Sequence, residues 1–168
     1  GAAARWETGC APRGVELAAD GRSAISFCDT ALIRHDVMAG RIAARWNSPE
    51  LVDGVHFDVD AGLVVSWSAG RGRLRVWQAA DGAPRFERPL DREGSLSRVL
   101  LLAGGARLLT AGADGRLEAW DLTHGELAAR GRHHREEAPV LAEADAGGTR
   151  VLAWSRAAGA RLWDAGTL

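Results

Sequence analysis

Leu117-Glu118-Ala119-Trp120-Asp121 decides the fold, because the chain repeats it in phase. Leu74-Arg75-Val76-Trp77-Gln78 and Ala160-Arg161-Leu162-Trp163-Asp164 are its counterparts, and the step from Trp77 to Trp120 to Trp163 is 43 residues each time. Stepping back 42 residues from Trp77 reaches His35 in Leu32-Ile33-Arg34-His35-Asp36. Four copies of one short apolar strand point to a repeat architecture, which has to be sought before any single motif is read.

Glycines keep the same beat. Gly21, Gly62, Gly105 and Gly148 precede the four anchors by 14 or 15 residues, and Gly40, Gly82 and Gly125 follow the first three by five. Asp-Gly and Gly-Gly between apolar runs are hairpin signals. Beyond the second glycine comes Ala-x-Arg, at Ala43-Ala44-Arg45, Ala83-Pro84-Arg85 and Ala128-Ala129-Arg130, with a further copy at Ala3-Ala4-Arg5. Trp6, Trp46 and Phe86 close three of these segments at intervals of 40. Each unit reads as four short strands; in the second they are about residues 41–46, 54–58, 63–68 and 73–77. Short strands at regular spacing with Gly and Asp between them predict an all-β fold. Four strands per 40–45 residues predict the blade of a β-propeller. The repeats fall at about 1–36, 37–78, 79–121 and 122–168, within one propeller region spanning 1–168.

Composition narrows the function. The 168 residues carry 21 basic and 22 acidic groups, a net charge of −1, which argues against a dedicated nucleic-acid binder. No apolar run reaches the length of a membrane span, and no signal-like apolar segment opens the sequence. Every cation is Arg, which with abundant Ala and Gly reads as the codon bias of a high-GC bacterial genome. Cys10 and Cys28 are too few for a disulfide scaffold, so reduced thiols and a cytoplasmic setting are expected. Seven Trp against three Phe need a structural reason, since a buried indole N–H wants a partner. The repeat supplies that reason.

At Leu117-Glu118-Ala119-Trp120-Asp121, Arg161-Leu162-Trp163-Asp164 and the turn Ala113-Asp114-Gly115-Arg116, the sequence resembles the WD-repeat family of β-propellers. The resemblance covers essentially the whole chain. It implies a buried polar set per blade, of which Thr110, Trp120 and Asp114 match three positions in the third unit. Asp29 matches in the first unit, where His35 replaces Trp, while Arg71 and Ala157 replace the Asp in the second and fourth. With that set degenerate, Trp77, Trp120 and Trp163 and the aliphatic faces are expected to hold the blades together. Burying one large side chain contributes about 1.5–3 kcal/mol against roughly 1 kcal/mol net for one hydrogen bond.

The sequence begins and ends at the same phase of the repeat. By the resemblance, residues 3–6 would serve as the outer strand completing the last blade. Family members commonly have more blades than four, which leaves three readings: a portion of a larger ring, association with another copy or another chain to finish a ring, or closure as a four-bladed ring.

Candidate sites are sparse. His133-His134-Arg135-Glu136-Glu137 lacks metal-ligand spacing and reads as a solvated polar loop. His56, Asp58 and Asp60 alternate, so on a strand they would share a face. Asp60 also starts a turn, which favours a local backbone role. Gly70-Arg71-Gly72-Arg73 is not followed by a helix and does not read as a phosphate loop. No nucleophile motif or zinc spacing appears, so no catalysis, metal or cofactor is expected. Arg71, Asp114 and Arg156 occupy equivalent turns, and Arg92 and Arg135 lie in loops emerging on the same rim. The resemblance implies that such loops bind protein or peptide partners, with no nucleic acid and no membrane involved. It also implies a scaffold or sensor module within a larger bacterial signalling or regulatory protein. The alternative is a small-ligand-binding or catalytic propeller using its central channel.

Overall fold

The computed structural model describes residues 6–68, 72–89, 96–133, 141–145 and 147–168. They form strands and turns, with a single turn of 3-10 helix at Ala103–Gly105. Two compact units divide the chain, Gly1–Leu90 and Asp91–Leu168.

The first unit holds two four-stranded antiparallel sheets. One contains β1 (Gly14–Leu17), β2 (Ser23–Cys28), β3 (Ala31–Asp36) and β4 (Arg41–Asn47), in sequence order. The other contains β5 (Gly54–Asp58), β6 (Leu63–Ser68), β7 (Arg73–Gln78) and β8 (Pro84–Pro89). Their facing surfaces make one core, in which Ile25, Phe27 and Leu32 pack with Val55, Phe57, Val64 and Trp77. The alternation of side chains across a strand puts these residues on two opposed faces. Burial of such side chains, at about 1.5–3 kcal/mol each, is the main force joining the two sheets.

The second unit repeats the plan. Its four-stranded sheet is β9 (Leu96–Leu102), β10 (Arg107–Gly112), β11 (Arg116–Asp121) and β12 (Glu126–Arg132). Beside it lie β13 (Leu141–Ala144), β14 (Arg150–Ser155) and β15 (Gly159–Asp164). Leu109 packs with Val151, and Ala111 and Leu117 pack with Ala153 and Trp163.

Four points refine the sequence reading. The last sheet has three strands among the described residues, not four. The fourth expected for it, residues 3–6, falls almost wholly on residues outside the description. The sequence unit and the sheet are out of step by one strand: β4, the first strand of the second unit, pairs with β3 rather than with β5–β7. The step from Asp36 to Arg41 is a tight hairpin, whereas Asn47 to Gly54 is a longer connector, so pairing follows the shorter closure. The Ala-x-Arg segments have a geometric meaning too. The register shifts between Arg34 and His35, between Val76 and Trp77, and between Ala119 and Trp120, so each outer strand bulges opposite an anchor. A bulge adds twist and re-aims the neighbouring side chain. Finally, Cys10 and Cys28 form a disulfide, their Cα atoms 6.3 Å apart, in place of the expected thiols. Cys28 ends β2 on the face where Cys10 packs with Ala31 and Ile33, so the fold itself brings the two sulfurs together.

Candidate interaction surfaces

One hydroxyl-to-ring bond recurs from sheet to sheet. The Trp77 indole N–H donates to Ser66 Oγ at 2.9 Å, and that of Trp120 to Thr110 Oγ1 at 3.4 Å. In the first sheet Ser26 Oγ and His35 Nε2 share the equivalent bond at 2.7 Å. His35 is buried, Trp6 lies against its ring with centroids 5.1 Å apart, and desolvation pulls its pKa below the ordinary value. In the last sheet Ala153 stands where the others have Ser or Thr, and the buried Trp163 indole N–H has no acceptor among the described residues. These groups hold the scaffold.

A second recurrent position lies two residues before each anchor. In the second and last sheets it holds the segment that follows the preceding outer strand. Ile33 receives Cys10, and the Arg75 guanidinium reaches Glu50 Oε2 at 2.8 Å while holding Glu87 through both oxygens at 3.0 and 3.1 Å. Arg161 Nη1 donates to the His133 carbonyl at 2.9 Å. The third sheet places Glu118 there, paired with Arg130 at 2.7 Å. Arg75 and Glu118 are both buried, while their partners Glu87 and Arg130 reach solvent, so water partly screens each pair.

The sequence candidates resolve unevenly. His133 is fully buried and faces the Trp163 ring at 6.4 Å, which corrects the solvated-loop reading for that residue. Its backbone N–H donates to the Gly115 carbonyl at 2.8 Å. Residues 134–137, including Arg135, lie outside the described residues. His56, Asp58 and Asp60 do not converge on one ligand. His56 Nδ1 sits 2.9 Å from Glu16 Oε1 of β1, and the same oxygen accepts the Phe57 backbone N–H at 3.1 Å. Asp58 Oδ1 accepts the Ala61 N–H at 2.9 Å and so caps its own turn. Glu16 is the functional-looking residue that sequence reading missed; only the pairing of β1 with β2 and the contact of β1 with β5 place it there. Among the described residues no three His, Cys, Asp or Glu side chains form a metal-binding group. No helix among them is long and apolar enough to cross a membrane.

Of the rim residues, Arg71 and Arg92 also fall outside the description. Asp114 sits in the β10–β11 hairpin, where it accepts the Arg116 backbone N–H and pairs with Arg116 Nε, both at 3.2 Å. Arg156 is exposed in the equivalent β14–β15 hairpin, a turn closed by the Ala158 N–H donating to Ser155 Oγ. These two turns belong to neighbouring sheets of one unit.

No family model and no curated protein matches this sequence. Solved structures similar to it include the following two. The computationally designed Ika4 protein aligns with a TM-score of 0.74 at 15% identity, over 96% of this chain and 95% of that one. The C-terminal WD40 domain of Sif2 aligns with a TM-score of 0.69 at 15% identity, over 89% of this chain but 42% of that one. The chain therefore spans less than half the length of the Sif2 chain it matches. With strands, registers and these alignments in hand, the fold is that of an all-β propeller built from WD40-type blades.

Proposed function

We propose that this chain is a non-catalytic protein-interaction module that binds protein or peptide partners through its hairpin turns and rim loops. The observation that carries this reading is the division of its polar groups. The Ser66 and Thr110 hydroxyls, the Trp77 and Trp120 indoles and the buried ions Arg75 and Glu118 are committed to the scaffold, whereas Arg156 is presented to solvent on a paired hairpin. Rigid scaffolds with exposed loop residues suit recognition, and Arg offers bidentate bonds to a partner's carboxylates. The candidate partner-binding set is Arg71, Arg92, Asp114, Arg135 and Arg156. By its resemblance, the module serves as scaffold or sensor in a larger bacterial signalling or regulatory protein. A cytoplasmic setting goes with that role, but a bonded Cys10–Cys28 pair is characteristic of oxidising compartments. Alkylation of the chain in its host, with and without reductant, separates the two settings.

The test is capture from host extract on the immobilised chain, alongside Arg156→Glu and Asp114→Ala, with bound proteins identified by mass spectrometry. A protein retained by the parent and lost from a folded variant supports the reading. Equal retention by all three excludes these turns. A second reading, ligand binding along the innermost strands, rests on the Glu16–His56 pair between β1 and β5. A small metabolite released on denaturation of the purified chain, and lost with Glu16→Gln, would favour it.

A further inference from the structure

Residues 6–13 lead into β1 without a strand of their own, yet they lie along one face of the first sheet. Ala31, Ile33 and His35 alternate on β3 and so share that face. Trp6 covers His35, with ring centroids 5.1 Å apart, and Cys10 packs on Ala31 and Ile33 beside Ile42. Between them the Thr8 carbonyl accepts from Arg45 Nη1 at 2.8 Å, and Arg45 is the cross-strand partner of Ile33. Trp6, Thr8 and Cys10 are half-buried while Glu7 and Gly9 are exposed, which is the alternation of an extended strap laid on a surface. Beneath it Ile33 and His35 are buried.

Apart from one covalent bond, the strap is lightly held. Among the described residues no backbone-to-backbone hydrogen bond ties residues 6–12 to the sheet; the first is from the Arg13 N–H to the Phe27 carbonyl, at 2.8 Å. By contrast β2 and β3 pair along their whole length, from Ser23 with Asp36 to Cys28 with Ala31. In the second sheet Glu50 fills the matching place against Arg75 by an ion pair alone. The blade plan therefore does not require a covalent bond at this position. What the bond adds is a tie that a change of redox state can open and close.

We propose that the Cys10–Cys28 bond is a redox-controlled clasp, which exchange with a dithiol opens to free residues 6–12 and uncover Ile33 and His35. Cys28 is 3% exposed and Cys10 is half-buried, so an attacking thiolate reaches Cys10 Sγ. It bonds to that sulfur, the bond between the two cysteine sulfurs breaks, and Cys28 leaves as a thiolate that takes up a proton. The second thiol of the dithiol then displaces Cys10. The dithiol ends oxidised to its own disulfide, and both cysteines end reduced to thiols. The same steps in reverse close the clasp. Opening also reaches the neighbouring sheet, because Arg13 pairs at 3.5 Å with Asp53 on the segment entering β5. This inference stands on the strap and its bond and not on any partner, so it survives or fails independently of the proposed function.

The experiment is backbone amide relaxation and histidine titration by NMR on the 168-residue chain, in oxidised and in reduced dithiothreitol, with Cys10→Ser alongside. In the oxidised chain residues 7–11 are expected to be ordered, and His35, desolvated by burial, titrates below its ordinary value. Reduction is expected to drop the order parameters of residues 7–11 below about 0.6 and to move the His35 titration upward. The signals of β2 and β3 stay in place, and oxidised dithiothreitol restores the starting state. Cys10→Ser gives the open state in either buffer, which ties the change to the bond. A strap and a His35 titration unmoved by reduction overturn the proposal, since the bond then closes nothing. Loss of the β2 and β3 signals together with those of the strap overturns it too, because the bond is then a structural staple. A bond that resists dithiothreitol until the chain is unfolded excludes exchange at Cys10.

Discussion

Gly54→Ala tests the sheet geometry at one atom. Gly54 pairs with Trp67 across β5 and β6, and a Cβ on Gly54 would fall 2.1 Å from Trp67 Cζ2 and 2.4 Å from Cε2. The indole fills the space a Cβ would take, and room for it exists only because Gly54 has no side chain. Backbone conformation is not the obstacle, since Gly54 is not among the positive-φ glycines. Replacing Gly by Ala at a compatible position gains about 0.4–1 kcal/mol from the unfolded chain. Overpacking costs about 1–3 kcal/mol. The clash dominates, and a net loss of roughly 1–2 kcal/mol follows. Urea unfolding monitored by circular dichroism measures it as a lower midpoint with an unchanged slope. Gly62→Ala is the contrasting control: its Cβ would meet open space, but φ is +65°, so its loss is conformational, about 1–2 kcal/mol. In a Trp67→Ala background Gly54→Ala should become neutral or stabilising, while Gly62→Ala keeps its cost. A Gly54→Ala loss that persists without the indole, or no loss with it, refutes the stacking argument. The same test applies at Gly14, where a Cβ would come 2.4 Å from the Phe27 ring.

Further outcomes follow from the repeated bonds. Ser66→Ala should cost about 1–3 kcal/mol by leaving the Trp77 N–H unsatisfied, and Ala153→Ser should gain up to about 1 kcal/mol by giving Trp163 its acceptor, both read from urea midpoints. Trp120→Ala should cost about 3–5 kcal/mol through the cavity it leaves, measured in the same way. Cys28→Ser should lower stability by about 3 kcal/mol, because the bond closes a loop of sequence separation 18; an unchanged midpoint under non-reducing conditions would contradict it. The exposed His124 is held 2.9 Å from Asp121, and that hydrogen bond raises the His124 pKa and helps pull Asp121 down to about 2. A raised histidine contributes fully below its unfolded value of 6.5 and loses that contribution as pH climbs through the folded value. A depressed carboxylate contributes above 3.8 and loses it as pH falls through about 2. NMR titration should therefore place His124 above 6.5, and Asp121→Asn should lower it.

The repeat was legible because it rests on local chemistry: Asp-Gly and Gly-Gly turns, alternation within strands, and an anchor in fixed phase. The strands read in the second unit at about 41–46, 54–58, 63–68 and 73–77 appear as β4 to β7 within a residue at each end. Less of the site was legible. Asp114 and Arg156 could be assigned to hairpin turns, yet the Asp114–Arg116 pair needed the turn's actual shape.

Sequence alone determined that this polypeptide is made of short antiparallel strands recurring every 40–45 residues, because turn residues and side-chain alternation act within a few positions of themselves. Only the tertiary structure decided what lies far apart in sequence but close in space. It put Cys10 against Cys28 and Glu16 against His56, and it buried His133, a residue that reads as part of a polar segment. It also decided which faces are covered. Leu109 and Leu152 occupy the same phase of the repeat, and no local signal distinguishes them. One is buried and the other exposed because burial depends on whether a neighbouring sheet is present, and a residue's own sequence cannot specify that.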